Sequence, residues 1–416
     1  MSGFKRIYLL YTFGFLINLR PIDPFLYEFF VTNKNITEKE VRRDILPVLS
    51  YSSAIHSLFV FLLADLIGYK TLIIISAFFE LVSISAKKWG TTILAMEFSE
   101  VFRGGSAATE VAYFIFIYGH YDGTTYQRAT AYVRIAALMG KTLSAILGQL
   151  FHNSDGMSYD ELYVLNLAVS ALATITTFFL PTDGENVYHF STTSATVQKA
   201  PPNRIGDKLF LFQANFVENF RQNHILRWSF WCAFSIWTYT QISSFIQPLW
   251  ANLHKSKYNG TIEATLGFLA FLGVVVAGFK SIDWKTRTVV AMHVLSGFQY
   301  ILLLCGIAFS NGYILFNYVC YVLFGMVHYF IITAISAEIA KIQHNNCFGM
   351  VFGLIYFVAH LMNAILVCAV NDDVGIYMFT PQREFLVYFI VFLVAYIVFF
   401  VASLIKERVN KVITRH

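Results

Sequence analysis

The chain has 416 residues, of which 57% are hydrophobic, 17% aromatic and 13% charged, with a mean hydropathy of +0.58. Soluble domains carry about 25% charged residues, so a soluble enzyme, a disordered scaffold and a secreted disulfide module are excluded. The formal net charge of +5 is modest and is spread along the chain as membrane orientation requires, not clustered as nucleic-acid binding requires.

A membrane-spanning helix needs about 20 largely apolar residues. In chain order such runs predict helices over 4–20, 46–66, 70–86, 91–119, 128–151 and 160–180. A second set follows over 226–250, 262–280, 287–309, 312–337, 347–370 and 382–405. The first run leads into Arg20-Pro21 with no small-residue cleavage site, so it is expected to be a retained helix and not a signal peptide. Between the sets, 181–225 is polar. It contains Thr182-Asp183-Gly184-Glu185, Ser191-Thr192-Thr193-Ser194 and Pro201-Pro202, and reads as a loop. The expected fold is therefore an all-α membrane protein with twelve transmembrane helices: a bundle over 1–180, a cytoplasmic linker over 181–225 and a bundle over 226–416. Six spans, a linker and six spans is the plan of major facilitator transporters, two bundles rocking about a midplane site.

With both termini in the cytoplasm, 17 Lys and Arg lie in inside segments and 9 in outside segments, Lys87 and Lys88 among the latter, with 4 within spans. The positive-inside rule favours this orientation. The sequons Asn35-Ile36-Thr37 and Asn259-Gly260-Thr261 then both fall outside, making Asn35 and Asn259 candidate glycosylation sites. Cys232, Cys305, Cys320, Cys347 and Cys368 lie in or beside apolar runs without a metal-binding spacing, and are expected to be buried thiols. No metal or other cofactor is expected.

An ionisable group at mid-bilayer costs roughly 2.5–3.5 kcal/mol on insertion scales and so faces a cavity or a partner. The fourth run carries Glu97, Glu100, Arg103 and Glu110. At 100° per residue, Glu100, Arg103 and Glu110 fall within about an 80° arc of one face. Between them Gly104-Gly105-Ser106-Ala107-Ala108 allows close helix approach. The fifth run adds Arg134 and Lys141, seven apart and on one face. The set is expected to line a polar substrate cavity; the alternative is internal ion pairs such as Glu100 with Arg103. Glu80 and Glu338, each single and near a span end, are expected to be paired structurally. Asp23 ends the first span. Tyr113, Tyr132, Tyr239, Gln241, Tyr329 and Asn363 are weaker cavity candidates, and His56, His293, His328 and His360 are expected to be packing residues. Asp65-Leu66-Ile67-Gly68-Tyr69-Lys70, an acid, a glycine and a base at the second loop, resembles the end of the major facilitator signature loop. It makes Asp65 and Lys70 a candidate gating brace.

Several stretches together resemble the reduced folate and thiamine carrier family of animals. They include Arg20-Pro21-Ile22-Asp23-Pro24-Phe25, Asn35-Ile36-Thr37-Glu38, Leu46-Pro47-Val48, Asp65 to Lys70, Thr109-Glu110-Val111-Ala112-Tyr113, Tyr132-Val133-Arg134 and Leu147-Gly148-Gln149-Leu150. Gln247-Pro248-Leu249-Trp250, Tyr258-Asn259-Gly260 and Val351-Phe352-Gly353 fit more loosely. The resemblance implies a twelve-span carrier of water-soluble vitamins at the plasma membrane. It further implies that a folate carrier would show basic residues where Glu110, Gly325 and Asn363 stand here. An acid at Glu110, with Glu100 and Asp23, resembles the thiamine branch. Leu49 and Arg103 stand where that branch has aromatics, and Lys141 replaces a Tyr.

The expected function is secondary active uptake of a thiamine-like cation, with a proton or exchanged organic anion as a further partner beside the lipid bilayer. Glu100, Glu110 and Asp23 would meet the cation. The alternative cargo is a folate-like anion held by Arg103, Arg134 and Lys141. From other classes come a receptor that binds without transport and a polytopic membrane enzyme, although no His, Asp or Ser cluster near one face supports the latter.

Overall fold

The structure, a computed structural model, describes residues 7–153, 157–181, 205–253, 258–280, 284–308, 314–343, 347–371 and 380–413. Helix dominates throughout. The first bundle holds α1 (Ile7–Ile17), α2 (Leu46–Ile67), α3 (Tyr69–Trp89), α4 (Ile93–Ile115), α5 (Tyr126–Asn153) and α6 (Tyr159–Phe178). A further helix, α7 (Ile205–Arg221), precedes the second bundle of α8 (Asn223–Leu253), α9 (Asn259–Phe279), α10 (Trp284–Ala308), α11 (Ile314–Ile342), α12 (Phe348–Asn371) and α13 (Pro381–Ile413). A helix stands at each of the twelve expected span positions. Eight helices are long and apolar enough by themselves to cross a membrane, counted over the described residues; α4 is excluded from that set by its own charges.

Local chemistry sets the boundaries. Pro47 sits in the first turn of α2, where its missing N–H costs nothing. Gly68, with a φ of 94°, turns the chain directly from α2 into α3 in a region that favours glycine. Thr92 caps α4 by accepting from Ala95 N–H, and Ser158 with Glu161 forms a reciprocal capping box at α6.

Three expectations are corrected here. The stretch 181–225 is not all loop: 205–221 is helical, with Asn215 and Asn219 buried and Leu211, Phe212 and Phe216 half-buried against the core. Apolar residues recurring at three and four positions gave it a packing face that its polar neighbours obscured. Thr182 to Pro202 lie outside the described residues. Second, α3 continues past 86 to Trp89, and Lys87 is not in a loop but buried at 2% exposure. Cys368 also differs from expectation, being exposed on the outer face of α12.

After α1 the chain folds back as short helical turns, Asp23–Phe25, Leu26–Glu28, Phe29–Asn33, Glu38–Glu40 and Val41–Ile45. Phe29, Phe30, Val41 and Ile45 are fully buried there against Ile84, Met96, Leu162 and Tyr163, a small second core that anchors Asp23 at the bundle mouth. The bundles meet along two helix pairs, α2 with α12 and α5 with α9. Glycines permit the closeness. A Cβ on Gly278 would collide with Ala131, and one on Gly353 would collide with the Phe61 backbone. Within the first bundle, Gly104 and Gly105 of α4 play the expected part against Ser52 of α2 and Phe79 of α3.

Candidate functional site

The back-folded segment, α2, α4 and α5 on one side and α8, α9 and α11 on the other enclose a cavity of about 300 Å³. Its charged lining residues are Arg20, Asp23, Glu100, Arg103, Glu110, Lys141 and Glu263. A neighbouring cavity of about 180 Å³ shares Arg20, Arg103 and Glu110 and adds Glu80 and Tyr113. The face of α4 that carries Glu100, Arg103 and Glu110 thus looks into the protein, as its periodicity requires.

Most of these charges have partners. Arg20 Nη1 donates to Glu80 Oε1 at 2.8 Å, and its Nε lies 3.2 Å from Asp23 Oδ2. Arg103 donates to the same Asp23 oxygen at 3.3 Å and approaches Glu80 at 3.9 Å. Two guanidiniums and two carboxylates thereby form a neutral quartet that ties the segment after α1 to α3 and α4. Glu100, 1% exposed, pairs with Lys87 at 2.9 Å, not with Arg103. This explains why α3 can bury Lys87: each charge of the pair offsets the desolvation of the other. Lys141 lies 3.5 Å from Glu263 across the bundle interface. Glu110 differs from all of them. It makes no ion pair or hydrogen bond among the described residues while lining both cavities.

Other expected residues lie elsewhere. Arg134 does not line the cavity: 4% exposed, it donates to Ser336 Oγ of α11 at 3.1 Å and sits 4.5 Å from the Phe114 ring centre. Sharing a helix face with Lys141 is not sharing a cavity, because seven residues separate them by about 10 Å along the axis. Gln241 is likewise absent from the wall, fully buried within the second bundle. Tyr113 touches only the smaller cavity, its hydroxyl donating to the Val133 carbonyl at 2.8 Å. Glu338 pairs with Lys341 at 2.6 Å as expected, and His328 packs flat on Tyr239 with its Nδ1 2.9 Å from Ser235 Oγ.

Sequence reasoning missed Lys87, Glu263 and Gln247. Glu263 obeys the same rule as the α4 acids, a charge inside an apolar run, and that signal was legible. Gln247 had none: its Nε2 donates to the Asp23 carbonyl at 2.9 Å and its Oε1 accepts from Tyr27 N–H at 3.2 Å, partners 220 or more residues away.

The bundles are tied at both ends of the cavity. At the mouth, besides Gln247, Asn259 Nδ2 donates to the Pro24 carbonyl at 3.1 Å, Gln149 Oε1 accepts from Thr261 N–H at 3.0 Å, and Arg42 pairs with Glu384. At the opposite face the Asp65 carboxylate accepts from Gly349 N–H at 3.0 Å, Met350 N–H at 2.7 Å and the Tyr69 hydroxyl at 2.6 Å. A carboxylate on the first amides of α12 is the favoured pairing of an anion with a helix N-terminus. Lys70 braces a different helix end, donating to the Leu180 carbonyl of the first bundle at 2.7 Å. Only the acid of the expected pair therefore bridges the bundles in these contacts.

Asp65→Asn replaces two charge-assisted bonds by neutral ones and turns one oxygen into a donor facing an amide. Opening of this end should follow. The adjacent Cys347, 0% exposed, is the reporter: maleimide labelling of its thiol in permeabilised membranes is expected to rise at least fivefold. Unchanged labelling would show that Asp65 does not hold this end shut.

The comparisons with known proteins agree with this architecture. A family model described as "Reduced folate carrier" matches residues 2–387. Thiamine transporter 1 of Homo sapiens is 28% identical, the alignment covering 91% of this chain and 85% of that protein. Folate-like transporter 3 of Caenorhabditis elegans is 28% identical with 93% of each chain covered. Among solved structures, the human organic anion transporter MFSD10 (TETRAN) superposes with a TM-score of 0.62 at 13% identity, covering 95% of this chain and 99% of the other. A bacterial homologue of the human lysosomal transporter Spinster gives 0.63, also at 13% identity, with 96% and 97% covered. These likenesses establish the twelve-helix transporter fold, and by the extent of the family match the chain belongs to the reduced folate carrier family.

Proposed function

We propose that this chain is a secondary active carrier of a water-soluble vitamin, and that its cargo is a thiamine-like cation. Relatives named for thiamine and for folate supply the vitamin class. One observation favours the cation: Glu110 is the cavity carboxylate with no ion pair or hydrogen bond among the described residues, in a lining of three cationic and four anionic side chains. A thiazolium-type charge beside Glu110 would bring that lining to neutrality, whereas an organic anion would add repulsion. The alternative anion site loses support, since Arg103 is held in the quartet, Lys141 is paired and Arg134 is remote.

Transport would follow from alternate release of the two ends, Asp65 on α12 at one and the Gln247, Asn259 and Arg42 contacts at the other. Closure over the cargo leaves Glu110 in a dry site where a single charge interaction counts for most.

The carrier is read as a plasma-membrane protein with both termini and the Asp65 end in the cytoplasm, which the burial of Lys87 strengthens by removing a basic residue from the outer loops. The outer face then displays Asn35, exposed, with Thr37 in a capping box with Glu40. Asn259 is read as unmodified, because its amide nitrogen donates to the Pro24 carbonyl and the residue is buried. In a glycosylation-competent cell, Asn35→Gln is expected to abolish the glycosidase-sensitive mobility shift and Asn259→Gln to leave it intact. The reverse result would refute the assignment.

The deciding experiment expresses the chain in cells lacking vitamin uptake and compares labelled thiamine with a labelled reduced folate at two pH values. Thiamine uptake in preference to folate is expected, and its pH dependence reads whether a proton accompanies it. Preference for folate would overturn the cation assignment while leaving the carrier class intact.

A further inference from the structure

The quartet, the Lys87 pair and Glu110 leave one pair of lining charges without a task, Lys141 and Glu263. It differs from the others in bridging the cavity: Lys141 rises from α5 of the first bundle and Glu263 from α9 of the second, with 3.5 Å between Nζ and Oε2. Glu263 is held from its own bundle, Oε1 accepting from the Tyr321 hydroxyl of α11 at 2.8 Å, while buried Oε2 has no hydrogen-bond donor among the described residues. Lys141 is held from the far side, 3.4 Å from the Tyr239 hydroxyl and 5.9 Å from the centre of its ring. Lys141 and Glu263, with Tyr321, line the 300 Å³ cavity beside Glu110.

The charge balance of the cavity turns on this pair. Arg20, Arg103 and Lys141 stand against Asp23, Glu100, Glu110 and Glu263. Without the Glu263 charge the lining is balanced, and Lys141 loses the carboxylate within ion-pair distance. A lysine ammonium with no carboxylate within ion-pair distance, in a low-dielectric cavity, is an anion site. The Arg20 and Arg103 guanidiniums would stay occupied, so the change falls on Lys141 alone.

The geometry points to Glu263 as a specificity-determining residue that masks Lys141, reserving the cavity for a cation and excluding organic anions, a role that rests on reading this cavity as the vitamin site. The design is negative as well as positive: Glu110 attracts the cation, and Glu263 removes the attraction an anion would otherwise find. A pair that served only as a strut between the bundles would alter both cargoes alike when broken.

The test measures initial uptake of labelled thiamine and of a labelled reduced folate, each normalised to surface protein. Glu263→Gln keeps the side-chain volume and the acceptor for Tyr321. It is expected to lower the thiamine-to-folate rate ratio at least tenfold, and Glu263→Gln with Lys141→Met to restore most of it. A ratio within twofold of the parent overturns the assignment, as does a double variant that behaves like the single. Should Glu263→Gln fail to reach the surface, Lys141→Met alone decides. It is expected to hold or raise the ratio, and a fall overturns the masking role. Failure of the underlying reading is separately visible, because then the parent itself takes up neither vitamin or prefers folate.

Discussion

Lys87→Met is expected to remove most folded carrier from the membrane. Lys87 and Glu100 are 2% and 1% exposed, and their 2.9 Å pair is the means by which both are tolerated at that depth. Deleting one partner of a buried pair leaves an uncompensated charge, at a cost of about 3–5 kcal/mol. Thermal unfolding of the detergent-solubilised protein should show a clear fall in Tm for Lys87→Met. Lys87→Met with Glu100→Gln should recover most of it, since both charges are then gone. Equal Tm values for the parent and the single variant would sink the pairing. The double variant also separates two roles for Glu100: full uptake on a recovered fold makes it structural, whereas a recovered fold with lost thiamine uptake makes it a cargo contact.

Glu110→Gln should show the opposite profile. Glu110 makes no ion pair or hydrogen bond among the described residues, so neutralising it is expected to leave Tm unchanged or raise it. Its proposed partner is the cargo, and a hydrogen bond or contact to a charged group is worth about 1.5–3 kcal/mol. Thiamine uptake at equal surface level should therefore fall about 10- to 100-fold. Uptake within twofold of the parent would remove Glu110 from the site. Stability kept with transport lost, against stability lost for Lys87→Met, is the contrast that separates a carboxylate reserved for a ligand from one consumed by the fold.

The difference between those two acids was hidden in one dimension. Glu100 and Glu110 share a helix face, and periodicity alone ranks them equally as cavity residues. What distinguishes them is Lys87, which belongs to another helix and looked like a loop residue because its neighbours Lys88 and Trp89 suit a membrane edge. The same holds for Arg134 and Lys141. Their common face on α5 was legible, but whether that face meets a cavity or Ser336 of α11 depends on how the second bundle sits against it. Gln247 illustrates the limit case: nothing near it in the chain indicates that it closes the mouth on Asp23 and Tyr27.

By itself the sequence determined the twelve helices, their division into two bundles and the inward direction of the charged face of α4. These follow from local rules: about 20 apolar residues span a bilayer, a helix repeats every 3.6 residues, and an ionised group does not face lipid. The resemblance carried by residues 20–25, 65–70 and 109–113 added the family. Only the tertiary structure decided which charges cancel, because an ion pair is a relation between helices and chain position does not encode it. Packing joined Arg20, Asp23, Glu80 and Arg103 into a neutral quartet, spent Glu100 on Lys87 and faced Glu263 with Lys141. In a medium that screens charge poorly, that pairing left Glu110 as the lining acid with no ion pair among the described residues.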